Sequence, residues 1–400
     1  MSITVVAVIA MSACTTGTPV PTGTAAPVLE VASIDEDALD ATLESLSKEL
    51  LLPGSVLLLR TPEGEFTATY GVTELGGTVP VSLDQHIRVG SNTKTMTGTI
   101  ILQLVDEGLI SLEDPVSAYR ADVPNGENIT IEQLLTMRSG LFNYTETYEL
   151  NAALDATPQR AWDPEELIAM GLALPVYFEP GEGYHYSNTN TVLLGRIAEQ
   201  LTGQPLAELM SQRLFEPLGM TNTLFPEATD STLPEPYPHG YMYTDNVFTL
   251  ASSKLPADLL LQAQEGTLLP GDQTFSNPSW GWAAGAGIST ASDLATWVEA
   301  LTEGGLLDEA TQSLRMQSPQ PTTDDPASTV GYGLALAKFG ELYGHTGELP
   351  GFNSFMGHDP VNDITLIVWA NLAPTAQGVD PATEIAKAVI GQLYVPASHE

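Results

Sequence analysis

Residues 88–98 read RVGSNTKTMTG and place Ser91 three residues before Lys94. A short strand pattern ends at Gly90, and apolar residues at a spacing of three and four after Ser91 predict a helix. Residues three apart on a helix lie on one face, so the Lys94 amine can reach the Ser91 hydroxyl. Because a serine hydroxyl is a poor nucleophile until a base removes its proton, the pair predicts a nucleophile with its base.

The spacing alone does not identify a site, because Ser45 and Lys48 repeat it inside a predicted amphipathic helix that begins near residue 34. Ser91 differs in its position at a strand-to-helix junction. Its backbone N–H there lies near the positive end of the helix dipole, which suits an oxyanion. The junction favours Ser91, and the alternative is a helix start that contains both residues by chance.

A second cluster reads GYHYSNTNTVLLG, residues 183–195, and contains Tyr186 and Asn188 in a loop just before a predicted helix. A phenol can relay protons when nearby cations lower its pKa. An asparagine amide can bind a substrate amide and also hold a lysine. The alternative is a buried tyrosine followed by an asparagine that caps the helix.

A third cluster reads YGHTGELPGF, residues 343–352, and lies on or beside a predicted strand. After His345 and Thr346, Gly347 would let a substrate backbone approach closely, because glycine has no Cβ. The next backbone N–H, on Glu348, could be a second oxyanion donor. The alternative is a histidine in a turn at the end of a strand.

Taken in this order, SNTK, YSN and HTG resemble the motifs of the penicillin-recognising serine hydrolases. Within that superfamily the chain is most similar to the class C β-lactamase and D-alanyl-D-alanine carboxypeptidase family of the Streptomyces type. The flanks TVLLGRIAEQLTGQPLAELMSQRLFEPLGMTNT and AAGAGISTASDLATW also resemble that family. The resemblance covers about residues 35–395.

The resemblance implies a role for each motif residue. Ser91 would be the acylated nucleophile, Lys94 would shuttle its proton, and Tyr186 would be the general base in acylation and would then help to activate water. Asn188 would position the substrate amide and Lys94. The backbone N–H groups of Ser91 and Glu348 would form the oxyanion hole.

His345 takes the position that lysine holds in the KTG motif of most β-lactamases, and Thr346 would bind the substrate carboxylate. The resemblance associates HTG with carboxypeptidases and related esterases or D-amino-acid peptidases more than with true β-lactamases. Histidine loses its charge near neutrality. We therefore expect turnover of a carboxylate-bearing substrate to fall above the His345 pKa. The absence of GxSxG and SDN from the sequence argues against an α/β-hydrolase and a class A enzyme.

These roles imply a serine hydrolase that acts through an acyl-enzyme on D-Ala-D-Ala-like peptides, with D,D-carboxypeptidase chemistry. Its partners would be small peptide, ester or amide substrates, for example the stem peptides of peptidoglycan. β-Lactams would be inhibitors. One alternative is an esterase or β-lactamase that uses the same residues. An alternative of another class is a protein that binds a cell-wall ligand without turnover.

The order of predicted elements is a helix and strands, then a helical block, then strands and a closing helix. YGLALAKF, residues 332–339, is predicted as one of the last strands. Residues 226–280 are rich in Pro, Tyr and turn residues and are predicted to form a long surface excursion near a site. This order predicts an α/β (α+β) fold in which both chain ends build one mostly antiparallel sheet around an inserted helical subdomain. The resemblance implies a β-lactamase/transpeptidase-like fold over residues 34–395. The sheet lobe is predicted at about 34–90 and 328–395, and the helical lobe at about 91–327.

The N-terminal residues predict export. Residues 1–13 resemble a secretory signal peptide, although no Lys or Arg precedes the apolar run. Cys14 follows small residues, as in a bacterial lipobox, and predicts a lipid anchor on the outer face of the cell membrane. Residues 14–33 read as a Thr/Pro/Gly tether. The alternative is a plain signal peptide with a chance cysteine.

The net charge of −37 arises from 50 acidic and only 13 basic residues. It argues against nucleic acid or an anionic lipid surface as a partner, because both require a basic surface. Cys14 is the single cysteine, and no Cys/His spacing indicates a metal. No metal or cofactor is therefore expected, and the sequence leaves the oligomeric state open.

Overall fold

The computed structural model describes residues 29–325 and 328–396. The predicted signal peptide and Cys14 lie outside the described residues, as does most of the predicted tether. That tether was expected to reach residue 33, but Leu29–Val31 pair with Tyr394–Pro396 in a two-stranded sheet. Regular structure therefore begins before the predicted boundary, because these residues exchange backbone hydrogen bonds with the end of the chain.

Strands and helices are numbered separately along the described residues, in chain order. The strands are β1 (Leu29–Val31), β2 (Gly54–Thr61), β3 (Gly64–Gly71), β4 (Ile87–Arg88), β5 (Tyr241–Met242), β6 (Gly271–Asp272), β7 (Ile288–Ser289), β8 (Gln320–Pro321), β9 (Val330–Tyr332), β10 (Ala337–Phe339), β11 (Leu342–Leu349), β12 (Phe352–Asp359), β13 (Ile364–Ala370) and β14 (Tyr394–Pro396). The α-helices are α1 (Glu36–Glu49), α2 (Thr93–Asp106), α3 (Ile131–Leu135), α4 (Tyr148–Ala156), α5 (Pro164–Leu172), α6 (Asn188–Thr202), α7 (Leu206–Met210), α8 (Glu216–Leu218), α9 (Asn246–Thr249), α10 (Ala257–Gln264), α11 (Ala291–Glu303), α12 (Glu309–Gln317) and α13 (Pro381–Leu393).

The main sheet has eight strands in the order β3-β2-β13-β12-β11-β10-β9-β8, and every neighbouring pair is antiparallel. Strands β2 and β3 come from the N-terminal part of the chain and the other six from the C-terminal part. Helices from the middle of the chain stand between them in sequence. The predicted fold class, an antiparallel sheet built from both ends with helices inserted, is confirmed.

Both faces of the sheet are covered, which explains the continuous apolar run of β2. Leu57 and Leu59 belong to the same buried cluster as residues of α1 and α13. Val56 and Leu58 point to the opposite face and join the core that includes α2, α6 and α11. Side chains alternate between faces along a strand, so an apolar run without polar interruptions fits a strand buried on two sides.

The apolar run YGLALAKF, residues 332–339, was expected to be one strand, but the structure divides it into β9 and β10. Between them Leu334, Ala335 and Leu336 turn inward and are almost completely buried. The Ala335 backbone N–H donates to the Leu135 carbonyl at 3.1 Å. Packing against the helical core therefore overrides the alternating strand pattern.

Residues 226–280, expected to be a long surface excursion, contain short elements that pack beside the sheet. The buried Arg88 side chain donates to the carbonyls of Ser231, at 2.7 Å, and Thr274, at 3.2 Å. These bonds tie the segment to the strand that precedes Ser91. Among the described residues, no helix combines the length and the apolar character needed to cross a membrane.

Candidate active site

Ser91 lies in a short 3₁₀ turn, Gly90–Asn92, that leads directly into α2. The turn packs against β11 so closely that only glycine fits on either side. A Cβ on Gly90 would lie 2.5 Å from the Glu348 nitrogen, and a Cβ on Gly347 would lie 1.9 Å from the Val89 oxygen. Gly90 also has a φ of +54°, in the region that favours glycine.

Two buried side chains hold this turn against the sheet. Asn92 Nδ2 donates to the Ser354 hydroxyl at 2.8 Å and to the Val89 carbonyl at 3.0 Å. The Ser354 hydroxyl donates to the same carbonyl at 3.1 Å. Ser91 itself remains half-buried. The nucleophile therefore stands on a fixed junction between α2 and the sheet.

Lys94 is completely buried, and its Nζ lies 2.9 Å from Ser91 Oγ. Nζ also donates to the Ala284 carbonyl at 2.6 Å. Burial lowers the pKa of the Lys94 amine well below its usual value, and no carboxylate among the described residues opposes this effect. Lys94 is therefore poised to accept the Ser91 proton.

The Tyr186 ring faces the same amine, with Lys94 Nζ 4.8 Å from the ring centroid. Its hydroxyl is buried and makes no hydrogen bond of good geometry in the part of the chain that the structure describes. Burial raises the pKa of Tyr186 well above its usual value, although the nearby Ser91 side chain weakly opposes the increase. The condition for a phenol relay, a pKa lowered by cations, is therefore not met, because desolvation dominates.

His345 lies on β11 and is 3% exposed. Its Nε2 is 3.2 Å from the Tyr332 hydroxyl, and its Nδ1 is 2.6 Å from the Thr346 carbonyl oxygen. Burial, aided by the charge of Lys94, lowers the pKa of His345 to about 3. The expectation of a histidine that changes charge near neutrality is therefore wrong, and His345 is neutral throughout the pH range 5–8.

Asn188, the first residue of α6, faces the loop that follows α3. Its Nδ2 donates to Asn143 Oδ1 at 3.2 Å and to Thr145 Oγ1 at 3.1 Å. Its backbone N–H donates to Asn143 Oδ1 at 3.0 Å. The expected contact with Lys94 is not among the hydrogen bonds of the described residues, and the Ala284 carbonyl takes that place.

Three more residues of β11 were predicted to bind the substrate: Thr346, Gly347 and Glu348. Gly347 was expected to let a substrate backbone approach, but the backbone that it admits is that of Val89. Thr346 is half-buried. The Glu348 nitrogen lies against Gly90, so the Ser91 and Glu348 N–H groups belong to adjacent backbone segments, as an oxyanion hole requires.

A cavity of about 240 Å³ opens beside Ser91. Apolar and uncharged polar side chains form most of its wall, and among its described lining residues none is lysine or arginine. The lining residues are Ser91, Thr145, Leu150, Asn151, Leu154, Asn188, Met242, Asn246, Thr249, Trp280, Gly281, Ala284, Gly285, Glu348, Leu349, Pro350 and Pro374. The cavity is suited to a small substrate with an apolar group.

Sequence reasoning missed several residues of this site. The Ala284 carbonyl accepts a hydrogen bond from Lys94, 190 residues away in the chain. The Tyr332 hydroxyl is hydrogen-bonded to His345, 13 residues away. Met242 and Asn246 come from the 226–280 segment, which was predicted to lie near a site, but no residue of it was singled out. Ala284 lies in the stretch AAGAGISTASDLATW, but it contributes only a backbone carbonyl, which no side-chain pattern indicates.

The chain is similar to a known protein family and to several characterised proteins. The family model described as Beta-lactamase matches residues 39–390. Penicillin-binding protein 4* of Bacillus subtilis (strain 168) is 27% identical over 335 residues, which are 80% of this chain and 68% of that protein. D-aminopeptidase of Brucella anthropi is 26% identical over 361 residues, or 87% and 62%.

Among solved structures, a D-stereospecific amidohydrolase from Streptomyces sp. superposes with a TM-score of 0.76 at 30% identity. The match covers 89% of this chain and 98% of that one. By their names, two of these three proteins hydrolyse bonds of D-configured compounds.

Proposed function

The chain belongs to the Beta-lactamase family, and from this premise we propose that it is a serine hydrolase that forms an acyl-enzyme at Ser91. The observation that carries the proposal is the 2.9 Å contact between Ser91 Oγ and a buried Lys94 amine without a carboxylate partner. We further propose that its substrates are amides or esters of D-configured amino acids. The names of the amidohydrolase and the D-aminopeptidase support that part.

In the proposed acylation, neutral Lys94 takes the proton of Ser91 Oγ as the oxygen attacks the substrate carbonyl carbon. Tyr186 keeps its own proton in the resting site, because burial raises its pKa. It can therefore donate that proton to the leaving group and recover one from Lys94. This assignment makes Lys94 the base, whereas the sequence resemblance gave that role to Tyr186.

The oxygen of the tetrahedral intermediate would accept hydrogen bonds from the Ser91 and Glu348 N–H groups. Ser91 N–H is at the start of a helical segment, where the dipole also favours negative charge. Water would then attack the acyl-enzyme, and the same Lys94 and Tyr186 pair would transfer its protons.

The charges of the cavity favour an uncharged leaving group over a terminal carboxylate. His345, the residue in the carboxylate-binding position of the resemblance, is neutral because its pKa falls to about 3. Of the described residues that line the cavity, none is lysine or arginine. A substrate carboxylate would lose its hydration in this cavity without a cation in return. D,D-carboxypeptidase activity therefore stays the alternative prediction.

The test compares D-alanine p-nitroanilide, its L-enantiomer, a D-Ala-D-Ala peptide and nitrocefin on the purified chain. Ser91→Ala is the test variant, and Ser45→Ala, which removes the same group from the other Ser–Lys pair, is its matched control. We expect the D-anilide to give the highest kcat/KM, and Ser91→Ala alone to lose turnover and labelling by a fluorescent penicillin.

Each other result has a defined meaning. A faster D-Ala-D-Ala peptide would support carboxypeptidase chemistry and contradict the preference for uncharged leaving groups. Labelling at Ser91 without turnover of any substrate would indicate a ligand-binding protein. Turnover that survives Ser91→Ala would overturn the acyl-enzyme proposal itself.

We also propose that the chain is exported and carries lipid on Cys14, as its N-terminal sequence predicts. Mass spectrometry of the protein from an expressing bacterium tests this directly. Diacylglyceryl on Cys14 that is lost in Cys14→Ser, together with cleavage before Cys14 that globomycin blocks, would support the proposal. An unmodified Cys14 in the exported protein would contradict it.

A further inference from the structure

Three potential metal ligands meet at the side of the sheet where α11 ends. Glu303 is the last residue of α11, His358 is on β12, and Asp363 closes the turn between β12 and β13. One ligand atom from each residue lies within 4.8 Å of the others. The two carboxylates are exposed, whereas His358 is completely buried.

A chain of hydrogen bonds assigns the protonation of His358. The Thr365 hydroxyl donates to Glu299 Oε1 at 2.9 Å, and that carboxylate forms an ion pair with Arg60 at 3.2 Å. The single proton of the hydroxyl is therefore already used. Because His358 Nδ1 lies 2.9 Å from the same oxygen, Nδ1 must carry a proton and donate it.

If His358 is neutral, this assignment leaves Nε2 without a proton and with a free lone pair. The atom is buried and has no hydrogen-bond partner within the described residues, and it lies 3.6 Å from Glu303 Oε1. A lone pair beside a carboxylate oxygen is unfavourable, and an unpartnered buried polar atom is rare in native proteins. A cation between the two atoms would remove both problems.

A second proton on Nε2 is the competing solution, because it would pair with Glu303. It requires a charged imidazole in a site with no exposure of the ring. At 3.6 Å, Nε2 and Glu303 Oε1 are also too far apart for a hydrogen bond between them. The geometry therefore leaves a place for a cation between the two atoms.

We propose that Glu303, His358 and Asp363 bind a divalent transition-metal ion such as Zn²⁺ or Mn²⁺. One imidazole nitrogen with two carboxylates is a donor set that such ions accept, whereas Mg²⁺ and Ca²⁺ prefer oxygen alone. Two ligand atoms on a tetrahedral ion are about 3.4 Å apart, so the exposed carboxylates need to move by about 1 Å.

The hydrogen bonds behind the ring also match a metal site. Metal-ligating histidines usually donate their second N–H to a carboxylate or another acceptor, which fixes the ring. In this protein His358 Nδ1 donates to the Thr365 hydroxyl, which in turn donates to the Glu299 carboxylate. The negative C-terminal end of the α11 dipole adds to the attraction of a cation. The bound ion would fasten α11 to the β12–β13 turn.

The test is titration of the EDTA-treated, dialysed full chain with Zn²⁺, with Mn²⁺ and with Ca²⁺, followed by calorimetry. Glu303→Gln and Asp363→Asn each remove one exposed ligand. Glu309→Gln is the matched control, because it removes one exposed carboxylate from the next helix and changes the net charge equally. Circular dichroism verifies that each variant is folded.

We expect one Zn²⁺ per chain at a micromolar or lower dissociation constant, and at least tenfold weaker binding in Glu303→Gln and Asp363→Asn but not in Glu309→Gln. In ¹⁵N-histidine-labelled protein, one Nε2 resonance should shift on Zn²⁺ addition. No stoichiometric binding, equal binding by all variants, or preferred binding of Ca²⁺ without that shift would each overturn the proposal. Diffuse weak binding to the acidic surface would appear equally in all four proteins.

Discussion

The chain contains two Ser–Lys pairs with the same spacing and opposite surroundings. Ser45 and Lys48 are exposed on α1, and Lys48 forms an ion pair with Glu44 that raises its pKa. Ser91 and Lys94 stand at the junction of α2 and the sheet, and burial lowers the pKa of Lys94. The same three-residue spacing therefore accompanies a raised lysine pKa in one place and a lowered lysine pKa in the other.

Burial without a carboxylate partner, not the spacing, is what lowers the pKa of a lysine. Glu44 is one helical turn from Lys48, where an acid stabilises the charged amine. Lys94 has the Ala284 carbonyl and the face of Tyr186 instead. A carbonyl oxygen and a ring accept a hydrogen bond or attract a cation without the full charge of a carboxylate.

The largest effect on kcat is expected from replacing Lys94 by arginine. Arginine remains charged at all accessible pH values, so Lys94→Arg cannot accept the Ser91 proton. We expect kcat to fall by about 10²–10⁴-fold, the range typical of general base catalysis. Lys48→Arg should retain wild-type kcat and serves as the matched control. Activity within twofold of wild type in folded Lys94→Arg would contradict the role of Lys94.

Tyr186→Phe should produce the next largest effect. The variant keeps the ring that faces Lys94 and removes only the hydroxyl, which we propose as the proton donor to the leaving group. We expect kcat on an anilide to fall by about 10²-fold. An ester with a p-nitrophenolate leaving group, which needs no proton, should be much less affected. Tyr148→Phe, at an exposed tyrosine, is the control.

An equal loss on the anilide and the ester would show that the hydroxyl acts on something other than the leaving group. That result would return Tyr186 to the role of base that the sequence resemblance implies. Measurement of both substrates on the same preparation therefore decides which of the two roles applies.

The sequence was sufficient for the main architecture and for the motif residues. Apolar spacing predicted α2 and α6, and the order of the predicted elements indicated one antiparallel sheet built from both ends of the chain. The prediction of one strand failed at β9 and β10, where Leu334 and Leu336 turn into the core. A binary pattern gives which residues are buried, but not against which element they pack.

The protonation states were beyond the sequence for a different reason. The pKa values of Lys94, Tyr186 and His345 depend mainly on burial, which arises from elements far apart in the chain. Residue type supplied only the unperturbed values, so His345 was expected to titrate near neutrality. The structure changes that expectation and, with it, the preferred class of substrate.

The third prediction concerns His345 and has a smaller expected effect. The pKa that burial lowers should make the free energy of unfolding depend on pH. The pKa of His345 is about 3 in the folded chain and about 6.5 when unfolded, so the unfolded chain binds more protons between these values. The contribution of His345 to the free energy of unfolding is fully present above pH 6.5 and is lost as the pH falls toward 3. Between pH 7 and pH 5 the loss is about 2 kcal/mol.

Urea unfolding of wild type and His345→Gln at both pH values measures this contribution. The variant should lose less stability by about that amount, because glutamine does not titrate. Equal losses in both proteins would mean that folding does not lower the pKa of His345, so that the folded histidine also gains its charge between pH 7 and pH 5. A charged His345 would in turn restore the case for a carboxylate-bearing substrate.

The smallest effect concerns ionic strength. A net charge of −37 creates a field that favours protonated Lys94 and so opposes the effect of burial. Salt shortens the Debye length from about 10 Å at 0.1 M to about 3 Å at 1 M, so it should screen that field. We expect kcat on an uncharged ester to rise up to a few-fold over this range, since the neutral fraction of Lys94 increases. An uncharged substrate excludes electrostatic steering as the cause. A level or falling kcat would mean that burial alone sets the protonation of Lys94, and the contrast with exposed Lys48 would then be complete.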